Sequence, residues 1–323
     1  MPTILLTTKY SQKALNIIQK SIPRGFVFLS LKSNDRKEFL KKASSADYFL
    51  AGGKNIIDTE IINLASKLKM IQRVGVGVDN LDLKTLKQKN IPVYINYGIN
   101  SNSAVEHTIL LILAVLRKIL LFNSNIRRGE WSRDEIGVQS FELFNKKIGL
   151  IGLGNIGLKV SQILNVFGAE VFYYKPQRLN LKDEKKLNLK YCSFLELIKK
   201  VDILSLHCPL TSATKDLINN KVLSKMKPGS IIINTSRGKL INEKDLLRSL
   251  KKGRIGGAGL DVYSLEPLDK NSPFLKLDNV VLTPHIAGLT FESFNQMFIQ
   301  AFRNISLFNK GELEKIKSKK LIF

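Results

Sequence analysis

Short apolar runs alternate with amphipathic stretches along the whole chain. In the first third of the chain, the runs predict strands near 3–8, 26–31, 47–51, 70–75 and 91–95, with helices between them. A second series of the same kind starts at "KKIGLIGLGNIG" (146–157) and continues to "NVVLTPHIAG" (279–288). Strands that alternate with helices are typical of parallel sheets, so the pattern predicts an α/β protein.

Two longer stretches predict helices with particular packing. Residues 103–122 are apolar nearly all round, so we expect one helix there, buried between domains or against another subunit. The preceding "YGINSNS" (97–103) is rich in Gly, Asn and Ser and indicates a linker or hinge. At the C-terminus, "FESFNQMFIQAFRNISLFNKGE" (291–312) predicts one amphipathic helix.

Composition adds limits to this picture. With 44% hydrophobic and 24% charged residues in 323, the chain is expected to be globular and long enough for two domains. The longest apolar run (109–116) is too short to span a bilayer, and the N-terminus does not read as a signal peptide. Two cysteines form neither a disulfide framework nor a metal motif, so we expect a cytoplasmic protein without a metal.

The net charge of +24 is unusual. Nucleic acid or another anionic surface is one interpretation of such a charge. The favoured interpretation is a lysine-rich composition, because the lysines are scattered and are not interleaved with aromatic residues. An excess of cations would still speed the encounter with an anionic substrate.

A glycine-rich loop predicts a dinucleotide site. Gly152, Gly154 and Gly157 have G-x-G-x-x-G spacing, with an apolar strand before the loop and a helix-competent stretch after it. In such loops the glycines allow a tight turn and a close approach to a pyrophosphate, which lies at the helix N-terminus. The next strand ends in "EVFYYKPQR" (170–178), and Lys175 stands where such folds usually place a carboxylate.

Reactive side chains follow three later apolar runs, at the strand ends where open α/β sheets bind ligands. Arg237 follows "SIIINTS", Asp261 ends "GGAGLD" with Glu266 five residues on, and His285 ends "VVLTPH". The chemistry they suit is hydride transfer at a hydroxy carbon. His285 would exchange the hydroxyl proton, Glu266 would orient its ring, and Arg237 would bind carbonyl or carboxylate oxygens.

Other residues have less specific interpretations. His107 lies inside the long apolar stretch, where a packing or capping role is expected, and His207 ends a strand near the predicted cofactor crevice. No two of the three histidines have metal-ligand spacing. In "RVGVGVDNLD", the amides around Gly75 and Gly77 can form a nest for a carboxylate, or the segment is simply a strand-to-helix turn.

Six motifs in order make the chain resemble the D-isomer-specific 2-hydroxyacid dehydrogenases: "RVGVGVDN", "GLGNIG", "HCPLT", "NTSRG", "GAGLDVYSLEP" and "TPHIAG". The resemblance covers nearly the whole chain. It implies a flavodoxin-like substrate domain (1–98, completed by a C-terminal helix at 292–323) and a doubly wound dinucleotide-binding domain (99–291). It also implies Arg237, Glu266 and His285 as catalytic residues, and a homodimer built around the 103–122 helix.

The resemblance further implies a set of binding residues. Substrate would contact Arg73, Gly75, Val76 and Gly77. The cofactor would contact the three loop glycines and Val76, Asn155, Ile156, Cys208, Thr235, Ser236, Asp261 and Gly288. The chain departs from NAD-using members at Lys175, where they have Asp. Lys175, with Arg178 nearby, offers positive charge to a 2′-phosphate, so we predict that NADP is used at least as well as NAD, although a lysine placed by drift would give the same sequence.

The expected function is therefore NAD(P)-dependent hydride transfer at C2 of a small, anionic D-2-hydroxy acid or 2-keto acid. Arg73, Trp131 and Arg133 lie in segments that look most like 3-phosphoglycerate dehydrogenases, so 3-phosphoglycerate is the first candidate substrate and the two arginines are the expected ligands of its phosphate. Glyoxylate or hydroxypyruvate reduction is the alternative. A non-catalytic NAD(P)-binding scaffold, as in corepressors of the family, is a second class of function that the motifs leave open.

Overall fold

The chain folds into two units, one formed by Met1–Asn100 with the segment from Thr290 onward, the other by Ser101–Leu289. These boundaries come from a computed structural model that describes residues 1–316 and the backbone of 319–322. The predicted domain boundaries, after 98 and after 291, lie close to those of the two units.

The first unit is built on a sheet whose five parallel strands lie in the order β5-β4-β3-β1-β2. This is the flavodoxin-like order, as predicted. A sixth strand, β13, pairs antiparallel with the edge strand β5. The strands are β1 Thr3–Leu6, β2 Val27–Ser30, β3 Tyr48–Ala51, β4 Met70–Arg73, β5 Val93–Ile95 and β13 Lys319–Ile322.

Helices cover both faces of this sheet. One apolar core packs Phe298 and Phe302 of the last helix against Leu6 and Leu50 of the sheet, and a second core on the other face includes Phe39 and Ile61. Asp35 caps its helix by accepting a hydrogen bond from the Lys37 amide. The helices are α1 Gln12–Gln19, α2 Arg36–Ala43, α3 Thr59–Leu64, α4 Leu83–Gln88 and α13 Phe291–Asn309.

The second unit is built on seven parallel strands in the order β12-β11-β10-β9-β6-β7-β8. The chain order reverses at β6, which lies between β9 and β7, so this sheet is doubly wound as predicted. The strands are β6 Lys147–Ile151, β7 Glu170–Tyr174, β8 Lys190–Tyr191, β9 Ile203–Leu206, β10 Ser230–Asn234, β11 Ile255–Leu260 and β12 Val280–Leu282.

Both faces of the second sheet are also covered. One core packs Leu111 and Ile112 against Ile148 and Ile233, and the core on the opposite face includes Leu246. The strands are apolar on both faces because both are buried, which explains the continuous apolar runs of the sequence. The helices are α5 Ser101–Leu116, α6 Ile119–Arg127, α7 Arg133–Gly137, α8 Asn155–Val166, α9 Leu181–Leu187, α10 Phe194–Lys200, α11 Asn220–Leu223 and α12 Glu243–Lys251.

Two predicted helices were wrong in extent. The helix expected over 103–122 is two helices, α5 and α6, because Lys118 has a left-handed backbone with φ of 48° that interrupts the helical path. The C-terminal helix expected over 292–323 ends at Asn309, and Gly311 with φ of 78° turns the chain toward β13. Residues 317, 318 and 323 of that expected helix lie outside the described part of the chain.

Within the described residues, no helix is both long and apolar enough to cross a membrane.

Candidate active site

The glycine loop lies at the point where the second sheet changes direction. Gly152 follows β6 with φ of 95°, and a side chain there would collide with the backbone of His207 and Cys208, which follow the neighbouring β9. Gly157 lies against the Gly152 carbonyl, so a side chain at 157 would force the start of α8 away from the strand. Gly152 therefore makes the tight turn that the spacing predicted, and Gly157 lets α8 start close to the strand.

The space beside Gly154 suits a phosphate group. A Cβ built on Gly154 would meet no atom within 4 Å, and this residue precedes α8 without giving it a side-chain cap. The first amides of a 12-residue helix thus face an open region with the positive end of the helix dipole. The residues present fit the pyrophosphate of a dinucleotide.

Several other predicted cofactor residues have protein partners. The Asn155 side chain donates to Ser101 Oγ at 2.8 Å, and Ser236 Oγ donates to the Leu206 carbonyl at 2.6 Å. The Thr235 hydroxyl lies 2.9 Å from that of Thr108, and Ile156 is half-buried. Burial raises the pKa of the Cys208 thiol to about 11, so this cysteine stays protonated and unreactive at neutral pH.

Lys175 and Arg178 differ in their availability to a phosphate. Lys175 directly follows β7, and no carboxylate of the described chain lies within ion-pair distance of it. Arg178 instead donates two hydrogen bonds to Glu184, at 2.7 and 2.8 Å, and stacks 5.2 Å from the centre of the Tyr191 ring. The Arg178 guanidinium holds the pKa of Glu184 below its ordinary value, so the pair is ionised. Among the described residues, Arg178 is thus engaged by a carboxylate, whereas Lys175 has no carboxylate within ion-pair distance.

Strand register explains why the reactive residues come together. Asn234, Leu260 and Leu282, the last residues of β10, β11 and β12, are direct neighbours across the sheet. The segments that carry Arg237, Asp261 and His285 therefore leave the sheet at one edge. The positions of these residues directly after apolar runs in the sequence predicted that they would lie at one edge of the sheet.

His285 and Glu266 form the central pair. The His285 Nδ1 atom lies 2.7 Å from a Glu266 carboxylate oxygen, and the Tyr263 amide donates to the other oxygen at 3.1 Å. Burial alone would raise the pKa of Glu266, but the hydrogen bond and charge of His285 outweigh it, and the pKa lies below its ordinary value. An ionised carboxylate only accepts, so Nδ1 holds the proton and Nε2 is left to exchange one with a substrate.

The backbone of His285 is in the left-handed region, with φ of 57°, which costs a non-glycine residue on the order of 1–2 kcal/mol. Asp261 accepts hydrogen bonds from three consecutive amides here. Its backbone carbonyl oxygen accepts a hydrogen bond from the His285 amide at 2.7 Å. Its two carboxylate oxygens accept from the amides of Ile286, at 2.9 Å, and Ala287, at 2.8 Å. Asp261 has no exposed surface, so its position favours holding this loop over direct contact with a cofactor.

Arg237 is positioned by its own turn and by a close backbone contact. The buried Asn234 side chain donates to the Arg237 carbonyl at 2.9 Å and accepts from the Ser236 amide at 3.0 Å. At the next residue, a side chain on Gly238 would overlap the backbone of Tyr263 and Ser264. This contact holds the Arg237 turn beside the segment that carries Glu266. Asn234 is the first residue of the "NTSRG" motif, but the sequence predicted no role for it.

His207 is unsuited to proton exchange. Burial lowers its pKa to about 4, and its Nε2 atom lies 2.9 Å from Ser205 Oγ. It is therefore neutral at physiological pH, and a role as a packed residue beside the glycine loop agrees with its contact with Gly152 and Gly157.

The predicted substrate residues of the first unit lie at the carboxyl end of β4. Arg73 is buried, with 5% of its surface exposed, and it donates a hydrogen bond to the Gly52 carbonyl. Val76 is exposed, and a Cβ on Gly75 would meet no atom within 4 Å, so the backbone of this turn is open to a ligand. The expected role of Gly75–Gly77 as a carboxylate nest stays a prediction.

No group of three or more His, Cys, Asp or Glu side chains with the geometry of a metal site occurs in the described part of the chain.

Comparisons with known proteins agree on one protein family. The family model described as "D-isomer specific 2-hydroxyacid dehydrogenase, NAD binding domain" matches residues 109–287. The glyoxylate reductase of Thermofilum pendens is 38% identical over 280 residues, which is 86% of this chain and 83% of that protein. The D-3-phosphoglycerate dehydrogenase of Archaeoglobus fulgidus is 33% identical over 290 residues, 90% of this chain but 54% of that protein.

A solved structure agrees over the full length. The crystal structure of D-lactate dehydrogenase from Aquifex aeolicus, complexed with NAD and lactic acid, has a TM-score of 0.90, 28% sequence identity and 99% coverage of each chain. The family resemblance read from six sequence motifs is thereby confirmed. The chain belongs to the D-isomer specific 2-hydroxyacid dehydrogenase family, and it is an NAD-dependent oxidoreductase of that family.

Proposed function

We propose that the protein reduces a small, unphosphorylated 2-keto acid, with glyoxylate and hydroxypyruvate as the best candidates, to the D-2-hydroxy acid. The observation that carries this choice is the burial of Arg73, which was expected to meet a substrate phosphate. With 5% exposure and a hydrogen bond to the Gly52 carbonyl, Arg73 presents almost no surface to a phosphate. The second expected phosphate ligand, Arg133, lines a groove with Trp131 and Val138 at α6 and α7.

The relatives support the same choice. The glyoxylate reductase of T. pendens is 38% identical to this chain, and the phosphoglycerate dehydrogenase of A. fulgidus is 33% identical. This order agrees with the burial of Arg73, so 3-phosphoglycerate moves from first to second candidate.

The chemistry follows from three side chains. The bound nicotinamide supplies or accepts the hydride at C2 of the substrate. His285 donates its Nε2 proton to the carbonyl oxygen in reduction and accepts the hydroxyl proton in oxidation, while Glu266 fixes the ring through Nδ1. Arg237 binds the carbonyl or carboxylate oxygens with its planar guanidinium and stabilises the charge that develops on the oxygen.

Cofactor choice is the second part of the proposal. The loop of Gly152–Gly157 and the N-terminus of α8 would hold the pyrophosphate, and Lys175 would meet the ribose. A carboxylate in that place would repel a 2′-phosphate, whereas Lys175 attracts it. We therefore propose that NADPH serves at least as well as NADH.

Lys175→Asp is expected to move the preference toward NADH. The ratio of kcat/KM for NADPH to that for NADH should fall about 10- to 100-fold, because attraction of the 2′-phosphate is replaced by repulsion. Lys182→Asp makes the same charge change on the exposed start of α9 and should leave the ratio within twofold. A wild-type enzyme that uses NADH tenfold better than NADPH would contradict the assignment of Lys175.

A homodimer is the proposed assembly, and an apolar surface on α6, α7 and the residues after them supports it. Trp131 is 79% exposed and Val138 82%, and both line a groove of about 460 Å³ with Phe122 and Ile126. Exposed apolar patches of this kind mark protein interfaces. The surface includes α6, so the proposed interface begins at the end of the predicted range 103–122 and extends beyond it.

Trp131→Glu is expected to weaken the dimer at least tenfold, because a carboxylate would be buried in an apolar interface. Sedimentation velocity should show the wild type at twice the 36.4 kDa chain mass and the variant shifting to monomer on dilution. Leu181→Glu, at an exposed apolar residue on α9, is the matched control and should remain dimeric. A monomeric wild type would contradict the proposed assembly.

A further inference from the structure

His107 makes a partly buried contact with the segment that leads to His285, and the proposed reaction gives His107 no role. Its side chain is 10% exposed, and its Nε2 atom lies 2.9 Å from Thr283 Oγ1 and 3.5 Å from a carboxylate oxygen of Asp261. Thr283 in turn lies two residues before His285. The contact therefore joins α5 to the segment after β12.

Counting donors fixes the direction of each hydrogen bond. The Thr283 hydroxyl lies 2.6 Å from Asp261 Oδ1, and because a carboxylate only accepts, the single hydroxyl proton of Thr283 is donated to Asp261. Thr283 Oγ1 can then only accept from His107. The geometry thus requires a proton on His107 Nε2, whichever the state of the other ring nitrogen.

Asp261 connects the hydrogen bonds of His107 and Thr283 to the loop that carries His285. Burial alone would raise the pKa of Asp261, but hydrogen bonds from His107, Thr283 and the amides of Ile286 and Ala287 outweigh it, so the pKa lies below its ordinary value. The ionised carboxylate accepts hydrogen bonds from the backbone amides of the two residues after His285. A group that orients Asp261 therefore also orients the left-handed turn at His285.

We propose that His107 is a positioning residue for His285, acting as an Nε2–H donor through Thr283 and Asp261. The inference rests on the proposed function, because His285 is taken as the proton-exchanging group. The sequence suggested only a packing or capping role for His107. The structure instead places it at the start of a hydrogen-bond relay of three side chains.

The kinetic test compares two replacements of His107. His107→Leu removes the donor, and kcat should fall about 10- to 100-fold with KM values within twofold, since misplacing a reacting group lowers the rate and leaves ground-state binding intact. His107→Gln keeps an N–H donor and should stay within threefold of the wild-type kcat. Ile112→Ala, at a buried apolar residue of the same helix, should lower Tm but keep kcat.

A second readout does not depend on turnover. The chain has three histidines, so a ¹⁵N-imidazole NMR spectrum is simple to assign with one variant for each. His107 should show a proton on Nε2, and the Nδ1–H signal of His285 should shift or broaden in His107→Leu and return in His107→Gln.

Three results would overturn the proposal: a proton on His107 Nδ1 alone, a kcat in His107→Leu within threefold of the wild type, or a loss in His107→Gln as large as in His107→Leu. A wild type that turns over none of the keto acids would instead refute the proposed function. In that case the NMR spectrum still decides the position of the His107 proton and its coupling to His285.

Discussion

His285→Asn is expected to lower kcat for keto-acid reduction by about 10²–10⁴-fold, the usual contribution of a positioned acid–base group. Asparagine is chosen because it tolerates the left-handed backbone that His285 adopts, so the loop held by Asp261 should keep its conformation. The amide cannot donate a proton to the carbonyl oxygen, and that step would fall to water.

Stopped-flow measurement of NADPH oxidation would quantify this loss, and cofactor fluorescence would give the Kd. The Kd for NADPH should stay within threefold of the wild type, because His285 is not a predicted cofactor contact. A variant that keeps more than a tenth of the wild-type kcat would show that His285 is not the proton donor, and a non-catalytic role for the site would then regain support.

Arg237→Lys is expected to lower kcat/KM for the keto acid on the order of 10²–10³-fold, although the charge is kept. Lysine lacks the planar fork that binds two oxygens at once and is more strongly hydrated, so a large loss would assign the effect to geometry and not to charge. The Asn234 side chain and the close contact at Gly238 hold the turn in addition to the Arg237 side chain, which donates to the Ser236 carbonyl at 2.7 Å. The variant should therefore fold normally.

Arg248→Lys, on the exposed face of α12, provides the matched control and should leave kcat/KM unchanged. Steady-state kinetics over a range of keto-acid concentrations would separate kcat from KM. An Arg237→Lys enzyme within threefold of the wild type would contradict a bidentate role for Arg237.

The sequence predicted the parts of this fold that depend on local pattern. Buried parallel strands are apolar on both faces, so their runs were visible, and the residues after them gave Arg237, Asp261 and His285. The glycine spacing was informative because the collisions at Gly152 and Gly157 forbid any side chain.

Features that depend on distant partners were not predictable from local pattern. The break at Lys118 falls at the charged pair Arg117–Lys118 between two apolar runs, and nothing in the residue type signals its left-handed backbone. The sequence made Arg178 a candidate ligand of a 2′-phosphate, but in the structure its guanidinium contacts Glu184 and Tyr191. The contact of His107 with Thr283 joins residues 176 positions apart, so only the packing of α5 beside β12 shows it.

The most direct test of the whole account is kcat/KM of the wild-type enzyme for glyoxylate, hydroxypyruvate, pyruvate and 3-phosphohydroxypyruvate, each with NADPH and NADH. We predict that glyoxylate or hydroxypyruvate is reduced with kcat/KM of about 10⁴ M⁻¹s⁻¹ or more, the lower end of the usual range for enzymes. Phosphohydroxypyruvate should be at least tenfold poorer, because Arg73 is buried. Oxidation of neither cofactor with any of the four acids, or a tenfold preference for the phosphorylated one, would contradict the proposed function.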